Sequence, residues 1–170
     1  MLITESYREQ NRLLHETRPD YGSGGGRWAE QVANLVAHAG PGSTVLDYGA
    51  GKQGLSDALP ELAITSYDPA IAGIDQPPMP HDIVACCDVL EHIEPECIDA
   101  VLDHIASLAR KYCFLVVNTQ PAKKNLPDGR NAHILQRPIE WWMPKLLARW
   151  RLKEARGGDV GLMFMGVVRV

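Results

Sequence analysis

The sequence VLDYGAGKQG at residues 45–54 constrains the fold of this chain more than any other stretch. β-Branched and apolar residues predict a short strand over 44–48, and a helix is predicted near 55–59. Glycines at positions 49, 51 and 54 lie between these two elements. A glycine turn between a strand and a helix allows a ligand to lie against bare backbone, with helix N–H groups facing it. The stretch therefore predicts an α/β fold with a ligand site at the end of its first strand.

Strands and helices alternate through the rest of the chain. The predicted strands cover residues 44–48, 63–67, 82–87, 112–117, 152–155 and 162–170, and the predicted helices cover 4–18, 27–39, 55–59, 96–109 and 138–150. Strands separated by helices favour a doubly wound, mostly parallel sheet with both faces covered. The last two strands flank a glycine turn at 157–159, which is typical of an antiparallel hairpin. We expect one domain over 1–170, in which 1–43 form N-terminal helices and a lid and 44–170 form the sheet core.

Composition and cysteine usage are those of an ordinary globular protein. Of the 170 residues, 45% are hydrophobic and 22% are charged. The N-terminal residues lack the apolar core of a signal peptide, and the apolar run at 113–117 is too short to cross a bilayer. Four cysteines show no paired C-x-x-C spacing, which favours free thiols in a reducing compartment. We therefore expect a cytoplasmic protein that does not enter a membrane.

Positive charge is concentrated in residues 123–156. This segment holds nine Lys or Arg against three Asp or Glu, although the whole chain carries a net charge of −4. Two interpretations are open at this point. The cations form a solvated helix face and strand end, or they attract an anionic substrate to the C-terminal half.

Asp47 discriminates between two cofactors that such a glycine turn can hold. The pattern G-x-G-x-x-G is shared with dinucleotide-binding sites and is weak evidence by itself. A carboxylate beside the turn repels the pyrophosphate of NAD but attracts the ammonium group of S-adenosylmethionine (SAM). Asp68, at the end of the second predicted strand and 21 residues after Asp47, can accept the ribose hydroxyls of either cofactor. The charge beside the turn therefore favours SAM.

A third motif, DIVACCDVLEHI at residues 82–93, ends a central strand beside the same crevice. Together with the D-x-G-x-G turn and the acidic end of the second strand, it resembles the motifs of class I SAM-dependent methyltransferases. The resemblance extends over residues 28–118 by motif and implies a Rossmann-like fold with SAM as its cofactor. The cofactor-binding residues that it implies are Asp47, Gly49, Ala50, Gly51, Asp68, Pro69, Asp88, Val89 and Leu90.

The connection between Asp68 and Asp82 departs from the family pattern. Only 13 residues lie between them, and four of these are prolines. The family places a helix and a third strand there, for which this chain has no room. We expect an irregular connection and six strands rather than seven. Asp75 is the candidate for the adenine contact that the missing segment otherwise supplies.

Candidate catalytic residues lie just beyond the predicted central strands. His92 can act as a general base near neutral pH, or it can hold a structural hydrogen bond at a helix start. The loop at 118–136 is long for a connection and rich in hydrogen-bonding side chains. Within it, His133 is the candidate base or orienting group, and Asn131 lies two residues before it. We therefore predict His133, Asn131 and His92 as catalytic residues, with a solvated connecting loop as the alternative.

Glu91 and the two histidines also raise the question of a metal site. No single segment of the chain contains metal-ligand spacing, so we expect no metal. Methyl transfer from SAM requires alignment of the acceptor, exclusion of water and, for some acceptors, removal of a proton.

The sequence as a whole predicts in-line methyl transfer from SAM to a small-molecule, sugar-like or nucleotide-like acceptor. An anionic acceptor is included in this prediction. We do not expect duplex nucleic acid, because the chain lacks the Asp-x-Pro-Pro-Tyr type of tetrapeptide of amine-directed DNA methyltransferases and the Pro-Cys dipeptide of covalent cytosine attack. The alternatives are a NAD-binding oxidoreductase and a catalytically silent SAM-fold module that supports a partner protein. The acceptor atom, the oligomeric state and the pathway are left open.

Overall fold

All six predicted strands are present in the computed structural model, which describes residues 1–169. The strands are β1 (Val45–Tyr48), β2 (Ile64–Tyr67), β3 (His81–Cys87), β4 (Ala109–Asn118), β5 (Trp150–Gly158) and β6 (Gly161–Val168). The helices are α1 (Glu5–Thr17), α2 (Ala29–Ala39), α3 (Gly54–Ala58), α4 (Ile98–Leu108) and α5 (Ile139–Arg149). Val170, the last residue of the strand predicted over 162–170, lies outside the described residues.

The strands form one sheet in the order β2-β1-β3-β4-β6-β5. Strands β1 to β4 are parallel, with Val45 of β1 opposite Ile64 of β2 and Ile83 of β3. Strand β6 runs antiparallel to β4, and β5 runs antiparallel to β6. This topology confirms the predicted doubly wound, mostly parallel sheet with a C-terminal antiparallel hairpin.

The short connection between β2 and β3 has the form expected from its length. Residues 69–80 contain turns and bends but neither helix nor strand, and the six-stranded sheet lacks the third strand that the family pattern includes. Proline restricts its own φ and provides no N–H for the hydrogen bonds between strands. A strand is therefore disfavoured in the part of the connection that contains Pro77, Pro78 and Pro80.

Alternate residues of the central strands pack on opposite faces of the sheet. Val84 and Cys86 of β3 lie in one apolar cluster with the inward face of α4 and with α5. Ile83 and Ala85 lie in a second cluster with α2 and α3. Successive residues of the strand therefore point to opposite faces, and both faces are apolar, as a sheet covered on both sides requires. The five inward positions predicted for α4 are all buried: Ile98, Val101, Leu102, Ile105 and Leu108.

Two local predictions were wrong at glycines. The loop predicted over residues 18–26 ends in a 3-10 helix at Gly24–Trp28, and α2 begins only at Ala29. The hairpin turn predicted at 157–159 is shifted, because Gly157 and Gly158 belong to β5 and Gly158 pairs with Gly161. Glycine tolerates many backbone conformations, so tertiary contacts rather than local preference set its structure at both places.

Within residues 1–169, no helix is long and apolar enough to cross a membrane.

Candidate active site

A cavity of about 730 Å³ opens at the carboxyl ends of the four parallel strands. Its lining includes Tyr48 at the end of β1, Asp68 after β2, Cys87 at the end of β3 and Asn118 at the end of β4. Ligands of open α/β sheets bind in this position because the loops that follow the strands leave a crevice there. We refer to its two ends as the glycine half (Asp47, residues 49–51, Asp68) and the histidine half (Glu91, His92, His133).

The glycine half is formed by two glycine-rich segments that pack backbone against backbone. Gly51 has a φ of +52°, and a Cβ added there would lie 2.4 Å from the carbonyl oxygen of Gly22. That carbonyl also accepts a hydrogen bond from the N–H of Lys52 at 2.8 Å. A Cβ at Gly54 would lie 3.0 Å from the carbonyl oxygen of Ser23. The segment before α2 therefore covers the glycine turn, which explains why glycines occur in both places.

Asp47 lies at the end of β1 under this turn. Its side chain is buried, and its Oδ2 has no hydrogen-bond partner. Burial, and then the nearby charge of Asp68, raise the pKa of Asp47 to about 7. A buried carboxyl oxygen without a donor is costly, so this position is suited to a ligand that brings a cation or an N–H group.

Asp68 holds the turn in place from the end of β2. Its Oδ2 accepts the N–H of Gly51 at 3.1 Å, and its Oδ1 accepts the N–H of Ala70 at 2.9 Å. The imidazole Nε2 of His15, on α1, lies 4.0 Å from the same carboxylate. Pro69 lines the cavity beside it. Each carboxylate oxygen has a second lone pair, so Asp68 can accept further hydrogen bonds from a ligand.

Asp88 follows β3 in an unusual backbone conformation, with a φ of +57°. Its Oδ2 accepts a hydrogen bond from the indole N–H of Trp28 at 2.8 Å and lies 3.3 Å from the guanidinium of Arg27. Val89 packs over the glycine turn, where a Cβ at Gly49 would come within 2.5 Å of it. Positive φ at a residue other than glycine is uncommon and concentrates at functional sites.

Leu90 and Asp75 do not lie where the sequence interpretation placed them. Leu90 is fully buried in the apolar cluster below α4, because the 3-10 helix at Leu90–His92 directs its side chain into the core, and it does not line the cavity. Asp75 is also absent from the described lining, and its carboxylate contacts its neighbour Gln76. The structure therefore does not support an adenine contact from Asp75.

The histidine half is formed by two segments that are distant in sequence. Glu91 is fully buried, and neither of its carboxyl oxygens has a hydrogen-bond partner. The imidazole Nε2 of His133 lies 4.0 Å from Glu91 Oε1, and the rings of His92 and His133 are perpendicular with centroids 4.7 Å apart. Burial raises the pKa of Glu91 to about 8. Burial, and then His133, lower the pKa of His92 to about 3, so His92 is neutral at physiological pH.

Asn131 does not face the cavity. Its side-chain amide accepts the N–H of Ala122 and donates to the carbonyl oxygen of the same residue, each at 2.9 Å. Its oxygen also accepts the N–H of His133 at 3.0 Å. The predicted catalytic role of Asn131 is therefore not supported. Its amide instead makes hydrogen bonds that stabilise the loop that carries His133.

Sequence reasoning predicted that residues 1–43 form helices and a lid, but it did not predict which contacts α1 makes at this site. The hydroxyl of Tyr7 donates to the carbonyl oxygen of His92 at 2.6 Å, and Tyr21 donates to Asn11 at 2.8 Å. Tyr7 and Tyr21 form a small separate core with apolar residues of the loop after β4, among them Leu126. Tyr21, directly before the glycine-rich segment, was the available signal, but nothing local showed that Tyr7 and Tyr21 contact the loop 119–138.

The concentrated positive charge lies mostly away from the cavity. Of the nine cations in the segment 123–156, all within the described chain, Lys123 and Lys124 line the cavity. Lys145 and Arg149 pair with Asp99 on α4 at 2.8 and 3.2 Å. The solvated-face interpretation therefore holds for the α5 part. Only two of the nine cations line the cavity, and the Nζ of one of them, Lys124, lies 2.9 Å from the carboxylate of Asp20.

The strand order, the antiparallel last hairpin and the cavity at the carboxyl end of the sheet match the Rossmann-like fold of methyltransferases. Comparison with solved structures shows the same fold. Magnesium protoporphyrin IX methyltransferase from Synechocystis PCC 6803, with bound SAM, aligns with a TM-score of 0.60 and 19% identity, over 98% of this chain and 92% of that chain.

The 1,6-didemethyltoxoflavin-N1-methyltransferase of Burkholderia thailandensis, with bound 1,6-didemethyltoxoflavin and S-adenosylhomocysteine, aligns with a TM-score of 0.68 and 17% identity, over 96% of this chain and 87% of that chain. The complex of DhpI with S-adenosylhomocysteine aligns with a TM-score of 0.64 and 17% identity, over 96% of this chain and 97% of that chain. No protein-family model matches the sequence, and comparison with curated proteins finds no match.

Proposed function

We propose that this protein is a SAM-dependent methyltransferase that acts on a small-molecule, sugar-like or nucleotide-like acceptor. One observation carries the proposal. A buried aspartate, Asp47, presents an oxygen without a partner beside a glycine turn that cannot accommodate a Cβ. This combination suits a ligand that lies on the backbone and brings an ammonium group, and the amino-acid end of SAM does both.

The residues of the glycine half fit the parts of SAM. Asp47 would bind the ammonium group, the backbone of residues 49–51 would lie against the methionine chain, and Asp68 would accept the ribose hydroxyls. Val89 and Pro69 supply apolar contacts at the same wall. SAM supplies a methyl group on a sulfonium sulfur, which is electrophilic without further activation. The protein's own task is to hold the acceptor in line and to exclude water.

The same turn is poorly suited to a dinucleotide. In NAD sites the pyrophosphate lies at the N-terminus of the helix that follows the turn. Here that helix, α3, has only five residues, and the last glycine of the pattern, Gly54, is covered by the carbonyl oxygen of Ser23. The carboxylate of Asp47 would also repel the phosphates.

The histidine half would bind and orient the acceptor. His133 and His92 line the same cavity as the glycine turn, which has room for a cofactor and a small molecule together. Lys123 and Lys124 line it as well and would attract an anionic acceptor. The solved neighbours are named for a porphyrin and for 1,6-didemethyltoxoflavin, both small molecules. We take residues 1–43 as the lid of one domain and propose that α1 and Tyr21 close this chamber.

Calorimetric titration with SAM, S-adenosylhomocysteine and NAD tests the cofactor, and transfer of a radiolabelled methyl group into fractionated cell extract tests the activity. We expect micromolar binding of the first two ligands, none of NAD, and label in a small-molecule fraction. Asp68→Asn should weaken SAM binding, whereas Asp75→Asn, outside the described lining, should not. Binding of NAD alone would establish the oxidoreductase alternative. SAM binding without any labelled product, together with a stoichiometric partner in pulldown, would establish the silent module.

A further inference from the structure

We propose that Glu91, His92 and His133 form a binding site for one divalent first-row transition-metal ion in the histidine half of the cavity. This site goes beyond methyl transfer and was not expected from the sequence, because its ligands come from adjacent residues of one turn and from a loop some forty positions later.

The donor atoms are close enough for one ion. One ligand atom from each of the three side chains lies within 4.8 Å of the others. Metal bonds of about 2.0–2.2 Å in a tetrahedral site place ligand atoms about 3.3–3.6 Å apart, so a contraction of about 1–1.5 Å completes the site. Two imidazoles and one carboxylate are the donor set of open zinc and non-haem iron sites, in which the remaining positions take water or substrate.

Both imidazoles have Nε2 available for coordination, because Nδ1 of each ring is held by a carbonyl oxygen. The Nδ1 of His92 lies 2.8 Å from the carbonyl oxygen of Ala132, and the Nδ1 of His133 lies 2.5 Å from that of Gln120. A carbonyl oxygen only accepts hydrogen bonds, so both Nδ1 atoms carry the proton and both Nε2 atoms carry a lone pair. This backbone support is the arrangement that fixes the tautomer and the ring direction of metal-binding histidines.

Glu91 supplies the second, independent observation. Its side chain has an exposed fraction of 0%, and neither carboxyl oxygen has a hydrogen-bond partner. Leaving two buried polar atoms unsatisfied is costly, and such a group calls for an ion or a water molecule that satisfies it. A cation between Glu91 and the imidazoles would satisfy the carboxylate while the two Nε2 atoms complete the donor set.

The position of the site indicates what the ion would hold. All three ligands line the cavity, so the open coordination positions face the space beside the glycine half. Resting on the proposed function, the ion would bind a hydroxyl or carboxylate oxygen of the methyl acceptor and orient it. His92 and His133 would then act through the ion, and the acceptor class narrows to molecules that offer an oxygen ligand.

The experiment is a metal titration of the full chain after treatment with a chelator. Co²⁺ is followed by its visible absorption and Zn²⁺ by calorimetry. We expect one equivalent of either ion, with visible bands of a site that contains nitrogen ligands. Glu91→Gln and His133→Gln should each weaken binding by at least ~100-fold, because even outer-shell changes cost about 10–100-fold. His38→Gln, at an exposed histidine on α2, is the matched control and should bind normally.

Absence of binding, or equal binding by wild type, Glu91→Gln and His133→Gln, would overturn the site. So would an equal loss in His38→Gln, which would indicate binding to surface histidines. Circular dichroism checks the fold of each variant. Should Glu91→Gln fail to fold, the substitution at His133, which lies in a loop, decides the question.

Titration of metal-free protein with SAM separates the two proposals. SAM binding without Co²⁺ binding overturns only the metal site, and Co²⁺ binding without SAM binding overturns only the methyltransferase function.

Discussion

The two halves of the cavity are built from different parts of the polypeptide. The glycine half consists mainly of backbone from one contiguous turn, with Asp47 and Asp68 at its sides and the glycine segment at 22–26 above it. The histidine half consists of side chains that come from the turn after β3 and the loop after β4, held by α1. The first half depends on the absence of side chains, and the second depends on their chemistry. The two halves should therefore fail in different ways when they are mutated.

The largest effect is expected in the histidine half. His133→Gln should lower kcat by about 100-fold or more, the usual loss when a group that handles or orients the reacting atom is removed, and leave the Kd for SAM unchanged. Steady-state kinetics and calorimetry measure the two quantities on the same preparation. His38→Gln should retain both values. A parallel loss of SAM affinity in His133→Gln would show that the two halves are not separate.

A substitution in the glycine half should have the opposite profile. Gly51→Ala places a Cβ 2.4 Å from the carbonyl oxygen of Gly22 and keeps a φ of +52°, so the turn must move. We expect the Kd for SAM to rise by about 100-fold, from a clash added to the ~1–2 kcal/mol cost of the left-handed conformation. Gly42→Ala carries the same conformational cost, with a φ of +78° and nothing within 4 Å of the added Cβ. Equal loss of SAM binding in both variants would show that strain, and not contact with the lid, explains the glycine.

The pH dependence of SAM binding tests the charge of the glycine half. Burial raises the pKa of Asp47 to about 7, and an ammonium ligand binds the ionised form. SAM affinity should therefore rise about tenfold per pH unit below 7 and level off above 8. The ligand-free protein should show the reverse trend, because a carboxyl with a raised pKa stabilises the fold most below its unfolded value of about 4 and loses this contribution as the pH rises through 7.

Asp47→Asn provides the control for both trends. It should flatten the affinity profile measured by calorimetry and the matching part of the stability profile measured by thermal unfolding. A wild-type affinity that is constant between pH 6 and 8 would contradict the assignment of Asp47 to the ammonium group.

The smallest effect on turnover is expected at Asn131. Its amide bonds the backbone of Ala122 and His133, so Asn131→Ala should lower the free energy of unfolding by about 1–2 kcal/mol. Thermal unfolding measures this change, and kcat should fall far less than in His133→Gln. Asn34→Ala, at an exposed position of α2, is the comparison. A large loss of kcat at unchanged stability would restore the catalytic role that the sequence suggested for Asn131.

The glycine half of the cavity was predicted from the sequence more accurately than the histidine half. Strand positions, the six-stranded sheet and the final hairpin were predicted because period-two burial and glycine turns are local signals. Eight of the nine predicted cofactor residues line the cavity, since they belong to strand ends and the turn itself. Leu90 was misplaced because one 3-10 turn decides whether a residue beyond a strand faces the cavity or the core. The roles of the cofactor residues remain predictions.

The acceptor side was predicted less well for a physical reason. His133 and His92 were selected by residue type, but the approach of His133 to Glu91 and His92 depends on how the loop after β4 packs against α1. That packing involves residues separated by more than 100 positions, such as Tyr7 and Leu126 in the small third core. No periodic pattern records such a contact, so the sequence could not distinguish the side chain that folds the loop, Asn131, from the one that faces the cavity, His133.

The sequence by itself determined the strands of the sheet, its final hairpin and the position of a glycine turn beside a carboxylate, because each depends on residues that are neighbours along the chain. Only the tertiary structure decided which side chains share the cavity, because burial and mutual distance depend on the packing of distant segments. It showed that the N-terminal glycines cover those of the turn, and that Glu91 is buried without a hydrogen-bond partner close to two histidines. Backbone geometry can be inferred from local sequence patterns. The grouping of side chains from distant segments in one site depends on the folded chain.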